Sequence, residues 1–187
     1  MERIVLASQS PRRKQLLEWA EIPFDVIVKE TDESYPDGLH TEDIPVFIAR
    51  NKALAVRKEL SHERVILAAD TVVVLDDEII GKPEDREDAI EILTRLEGRT
   101  HQVITGVVIL KDDKEIVFSN TTEVTFNPLS YDDIRYYIDK YKPYDKAGAY
   151  AIQEWIGVVG IGSIQGDFYN VMGLPVSRVV QELSKLI

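Results

Sequence analysis

Residues 3–17 read RIVLASQSPRRKQLL, and this stretch decides the fold. Its first five residues form a short apolar run, the pattern of a buried strand. Ser8, Gln9 and Ser10 interrupt the run, and Pro11 opens a helical segment that ends near Ala20. Ser10 suits the N-cap because its hydroxyl can accept a free N–H of the first turn. Pro11 suits the first helical position because its missing N–H has no partner to lose. A strand that hands over directly to a capped helix is the opening of an α/β domain.

The rest of the chain repeats this alternation. Residues 24–28 read as a second strand, followed by a polar, acidic loop over 29–38 and a helix over about 42–60 with Thr41 as its cap. The runs 65–69 and 72–75, the turn Asp76-Asp77 and the run 78–80 read as strands meeting in a hairpin. An amphipathic helix is expected over 84–97, with acids in its first turn and Gly98 just past its end. Two β runs follow, 102–110 and 115–126, joined by the charged turn 111–114, and Ser130 caps a helix to about Lys140. Beyond a glycine-containing region and the run 158–161, Pro175 opens a terminal helix in which Val176, Val179, Val180, Leu183 and Leu186 keep helical spacing. Strands interleaved with helices, plus hairpins, imply an α/β fold on a mixed sheet. With no repeat, low-complexity segment or linker, the chain is expected to form a single domain over 1–187.

Composition excludes several function classes. Among 187 residues, 22 basic and 33 acidic side chains leave a net charge of −11. That charge opposes non-specific attraction to nucleic acid or to an anionic membrane. An anionic substrate would have to be caught by basic groups gathered in one place. There is no cysteine, which removes disulfides, thiolate metal sites and cysteine nucleophiles. The three histidines, His40, His62 and His101, lie far apart and outside any HExxH pattern. No apolar stretch approaches the roughly 18 residues of a membrane span, so the cytoplasm is the expected location.

Five local signals carry chemistry. Arg12 and Arg13 occupy the first turn of the opening helix, where the macrodipole disfavours cations. An anion reverses that sign, and free N–H groups, the hydroxyls of Ser8 and Ser10 and two guanidinium forks suit a phosphate. The alternative is a pair of solvated or ion-paired surface arginines. Lys52 lies on the stripe marked by Ile44, Ile48 and Ala55, so it either snorkels to an edge or points into a cleft. Asp70 sits among apolar or small neighbours, where a carboxylate must be paired, protonated or metal-bound unless it simply caps a strand end. Asp32 and Glu33 in the acidic loop could join it around magnesium, which prefers hard oxygen ligands. Lys82 is pinned in the turn Gly81-Lys82-Pro83. In the small-residue segment 145–153, Gln153 could read a base edge with its amide.

These residues are similar to those of the Maf family. The resemblance rests on Ser-x-Ser-Pro-Arg-Arg-x-x-Leu-Leu at 8–17, Asp32-Glu33, residues 49–53, 68–73 and Gly81-Lys82-Pro83, and extends through 101–107, 145–153 and 170–175. It implies an elongated α/β fold, with a twisted mixed sheet, flanking helices and two lobes around a central cleft. It also implies nucleoside triphosphate pyrophosphatase activity: metal-assisted attack by water between the α and β phosphates, with Asp70 as proton acceptor and Mg2+ or Mn2+ held near Glu33 and Asp70. Ser8, Arg12, Arg13, Lys52 and Lys82 would bind the phosphates. Arg12, Thr71 and Gln153 resemble the branch acting on dTTP and UTP. The branch acting on 7-methylguanosine triphosphate carries tryptophan, glutamine and glutamate at the equivalent places. A homodimer is in keeping with the family, without support from any residue here. The rivals are 7-methylguanosine triphosphate hydrolysis, a phosphatase or nucleotidyltransferase using the same cations, and a non-enzymatic regulator of division and septum formation.

Overall fold

The computed structural model describes residues 3–61 and 63–186. His62 lies outside them. The elements run β1 (Ile4–Leu6), α1 (Pro11–Trp19), β2 (Phe24–Val26), α2 (Ile44–Arg57), β3 (Ile66–Leu75), β4 (Glu78–Ile80), α3 (Arg86–Leu96), β5 (Thr100–Lys111), β6 (Lys114–Phe126), α4 (Tyr131–Tyr141), a 3-10 turn (Ala147–Ala149), α5 (Trp155–Gly160), β7 (Ile161–Gln165), α6 (Phe168–Met172) and α7 (Val176–Leu183). The strands hydrogen-bond in the order β2-β1-β3-β5-β6-β7, with β4 paired to β3. β1 runs parallel to β2 and to β3, whereas β4 and β7 pair antiparallel with β3 and β6. The sheet is therefore mixed and the fold is α/β. Among the described residues no helix is long and apolar enough to cross a membrane.

The chain divides into two compact units: one comprising Thr105–Asn120 with the described residues before Val72 and after Met172, the other Val72–Ile104 with Thr121–Met172. In the first unit, α2 packs on the sheet through small residues. Ala49, Ala53 and Val56 join Val5, Ala7, Ile66, Ala68, Val108 and Leu110 in one buried cluster. Gly106 on β5 shows how close this packing is, since a Cβ there would stand 2.2 Å from the Val46 nitrogen. Any side chain at 106 would push α2 off the sheet. In the second unit α3 packs against α4, and Arg86 clasps Asp139 with two bonds, at 2.7 and 3.0 Å. A cluster of His101, Phe126 and Tyr150 fills part of that unit's core.

Several boundaries differ from the sequence expectation, and three of them change how an element is read. The second helix begins at Ile44 behind Asp43 rather than behind Thr41, and it stops at Arg57. Pro45 explains the start, because proline is tolerated only in a helix's first turn. The runs 65–69 and 72–75 are one strand: β3 continues through Asp70 and Thr71, both of which find side-chain partners. Asp70 therefore sits within a strand and does not cap its end. The run 158–161 is divided, with Val158 and Val159 on α5 and Ile161 opening β7.

Candidate active site

The site grows from the end of β1. Ser8 follows that strand and is buried, and its Oγ accepts from the Ser10 N–H at 3.2 Å and from Arg13 Nη1 at 3.1 Å. A serine hydroxyl has two lone pairs and one proton. Both lone pairs are taken, so the proton is left to donate. Ser10 caps α1 by accepting from the Arg13 N–H, and Pro11 occupies the first turn, as the sequence indicates.

Arg13 points inward. Its guanidinium donates from Nε to the Gly173 carbonyl at 2.7 Å, from Nη1 to Ser8 and from Nη2 to Thr71 Oγ1 at 2.9 Å. Burial pulls its pKa down to about 10, opposed by the negative charges of Asp70 and Glu33 and reinforced by Arg12. It remains a cation at neutral pH. Three of its five donors are committed to the protein, so Arg13 organises the residues around it. Arg12, one position earlier, is half-buried.

Gly173 adopts φ +116°, a backbone conformation that suits glycine, and a Cβ there would approach Arg13 Nε and Thr71 Oγ1 to 3.6 Å each. Thr71 Oγ1 also meets Thr105 Oγ1 at 2.8 Å. Neither Gly173 nor Thr105 was singled out by residue chemistry. Both fall inside the stretches that carry the family resemblance, but Gly173 stands 160 positions from the arginine it holds.

A second group is built on α2 and β3. Lys52 lies one turn from buried Ala49 and Val56, which keeps its stem on the core-facing side. Its Nζ donates to Asp70 Oδ1 at 2.7 Å and lies 2.8 Å from Glu33 Oε1. The Lys52 and Asp70 side chains are only 17% and 15% exposed, against 50% for Glu33. The ammonium is thus held between two carboxylates and does not snorkel. Asp32 behaves differently from its neighbour: its two oxygens serve the Ser34 N–H at 2.9 Å and the Ser34 hydroxyl at 2.7 Å. Those bonds hold its pKa below the usual range and make it a turn residue of the loop.

Glu33 and Asp70 offer hard oxygen donors to the same point, where they already share one cation. Among the described residues no group of three or more histidines, cysteines or carboxylates could enclose a metal. Two carboxylates fit magnesium, which usually keeps several waters and takes further ligands from substrate phosphates. Lys82 and Gln153 belong to the second unit and are exposed. The Gly81 carbonyl beside Lys82 accepts from the Gly148 N–H at 3.0 Å, which fixes that turn.

The Maf-like protein family matches residues 3–186. A dTTP/UTP pyrophosphatase of Parabacteroides distasonis is 50% identical over 182 residues, 97% of this chain and 94% of that protein. A protein of the same name from Cytophaga hutchinsonii is 51% identical over 183 residues, 98% of this chain and 84% of that protein. Among solved structures, the Staphylococcus aureus Ham1 protein gives a TM-score of 0.46 at 19% identity, covering 71% of this chain and 79% of that one, and at that level it adds nothing to the assignment. Matched along nearly its whole length and at about half of its residues, the chain belongs to the Maf family.

Proposed function

We propose that this protein hydrolyses dTTP and UTP to the monophosphate and pyrophosphate. The substrate class is supported by the name shared by relatives that are about half identical over nearly the full chain. The observation that carries the reaction is Lys52 held between Asp70 and Glu33, beside the Ser8–Arg13 pair. Together these groups join a carboxylate able to take a proton, a cation, and donors suited to phosphate oxygens.

In this reading a water attacks the α-phosphorus, the bridging bond to the β-phosphate breaks, and Asp70 takes the water's proton. Lys52 engages Asp70 through Oδ1, and Oδ2 receives that proton. Ser8 donates its hydroxyl to a phosphate oxygen. Arg12, Lys52 and Lys82 balance charge accumulating on the departing pyrophosphate. Arg13 contributes positive charge and holds Ser8 and Thr71. Glu33 and Asp70 would hold Mg2+ or Mn2+, which would supply charge neutralisation at the phosphates and a lowered pKa for a water it binds. Arg12, Thr71 and Gln153 select the base. Neutral hydrogen-bonding groups at 71 and 153 suit uracil and thymine, which present both donors and acceptors.

The test is a panel of nucleoside triphosphates incubated with purified protein and magnesium or manganese, with pyrophosphate and orthophosphate measured separately. Pyrophosphate from dTTP and UTP, with little from purine nucleotides, is expected. Orthophosphate as the first product would mark a phosphatase. Preferential cleavage of 7-methylguanosine triphosphate would move the chain to the other branch. No release from any nucleotide would overturn the enzymatic reading.

A further inference from the structure

We propose that Thr105 is a positioning residue for the substrate-binding groups of the first unit, acting through the hydroxyl of Thr71. The proposal deepens the function above and rests on its reading that Ser8 and Thr71 meet a nucleotide. Thr105 lies on β5 with no solvent exposure, and its Oγ1 is 2.8 Å from Thr71 Oγ1 on β3. Thr71 in turn accepts from Arg13 Nη2 at 2.9 Å, and Arg13 Nη1 donates to Ser8 Oγ at 3.1 Å. A continuous chain of hydrogen bonds therefore runs Thr105–Thr71–Arg13–Ser8, with the Gly173 carbonyl fixing Arg13 Nε from the side.

The hydroxyl at 105 has a cost that packing alone does not require. Burying a hydroxyl is unfavourable unless it is hydrogen-bonded. Valine has nearly the same shape and equal preference for a strand. Val103, Val107 and Val108 fill the same strand's buried positions in that way. What valine lacks is a bond to Thr71. A threonine hydroxyl carries one proton and two lone pairs, and Arg13 takes one lone pair of Thr71. Because Thr105 has no solvent exposure, its hydroxyl cannot turn out to water, and it meets Thr71 whichever of the two is the donor. Arg13 and Thr105 then take two of the three hydrogen-bonding positions of Thr71 and hold its side chain in one orientation, with one position left for a substrate. Arg13 in turn keeps a fixed seat beside Ser8.

The experiment compares Thr105→Val, Thr105→Ala, Thr105→Ser, Thr71→Val and the Thr71→Val, Thr105→Ala double variant with wild type. It measures kcat and KM for dTTP, UTP and a purine triphosphate, thermal stability, and calorimetric binding of a non-hydrolysable dTTP analogue. Thr105→Val is expected to raise KM for the pyrimidine nucleotides about tenfold, the equivalent of one hydrogen bond, with a smaller change in kcat and a lower pyrimidine-to-purine ratio. Thr105→Ser, which keeps the hydroxyl, restores both values. Thr71→Val removes the hydroxyl through which Thr105 acts and raises KM at least as much, and in that background Thr105→Ala is expected to raise KM no further. Thr105→Ala alone, which removes the same hydroxyl, keeps the test decisive if Thr105→Val does not fold. A Thr105→Val protein whose melting temperature moves while KM and the ratio stay at wild-type values overturns the proposal. So does Thr105→Ser behaving like Thr105→Val, or Thr71→Val leaving KM unchanged. A wild type that neither binds the analogue nor releases pyrophosphate overturns the proposed function itself, and the role of Thr105 with it.

Discussion

Lys52 on α2 donates its Nζ proton to Asp70 Oδ1 on β3 at 2.7 Å, and the same ammonium lies 2.8 Å from Glu33 Oε1. One cation thus satisfies two carboxylates in a partly desolvated place. This explains how β3 carries an acid within an apolar run, and it supports the proposed division of labour between Asp70 and Lys52.

Asp70→Asn keeps the size of the side chain and its bond to Lys52 but removes the proton acceptor. Turnover of dTTP should fall by roughly 10²–10⁴, read as initial pyrophosphate release by protein whose thermal unfolding is intact. A folded variant with near-normal turnover would end the general-base assignment.

Lys52→Met removes the shared cation and leaves Asp70 and Glu33 facing each other. Turnover should drop about 10²-fold through the loss of charge at the leaving group. A divalent ion bound by those carboxylates should now compensate the missing ammonium. Magnesium is therefore expected to raise the melting temperature of the variant more than that of wild type. Equal shifts in both proteins would mean the ion binds elsewhere.

Arg13→Lys keeps the charge but loses the fork. A lysine ammonium cannot hold Gly173, Ser8 and Thr71 in the planar arrangement that the guanidinium spans. Unfolding stability should fall by about 2–4 kcal/mol, since buried acceptors lose charged donors. KM should rise with it, in urea titration and steady-state kinetics respectively. A variant as stable as wild type would show that the three bonds contribute little.

His101 supplies a pH dependence outside the proposed site. Burial pushes its pKa down to about 4 from the ordinary 6.5, and its Nε2 lies 2.6 Å from the Tyr150 hydroxyl. Between those two values the unfolded chain takes up a proton that the folded chain refuses. The stabilising contribution of neutral His101 is thus complete above 6.5 and is lost as pH falls toward 4. The loss amounts to about 3 kcal/mol at most. Urea unfolding across this window should show stability declining with acidity, with a shallower slope in His101→Gln. Identical slopes would remove His101 as the cause.

Gln153→Glu replaces an amide, which both donates and accepts, with an acceptor-only carboxylate. The preference for dTTP and UTP over purine triphosphates should shrink by about tenfold, the equivalent of one hydrogen bond. Competition assays with mixed nucleotides measure this directly, and an unchanged ranking would take Gln153 out of the selecting set.

Local pattern by itself determined much of this protein. The strand-to-helix handover at 3–17, the Ser10 cap with Pro11 behind it and the Ser130 cap of α4 are set by residues within four positions of one another, and all three form as read. The alternation of apolar runs likewise determined an α/β fold, because periodicity records which face each element buries. Tertiary structure decided what the charged residues do. Sequence left Arg13 open between phosphate and solvent, and Lys52 between cleft and edge. A carbonyl 160 positions away draws Arg13 inward, away from solvent, and carboxylates from a loop and from a strand hold Lys52. It also decided that β3 runs unbroken through Asp70 and Thr71, since polar residues remain in a buried strand once distant partners satisfy them. A side chain's partners across the fold depend on how the elements pack, and short-range pattern carries no record of that.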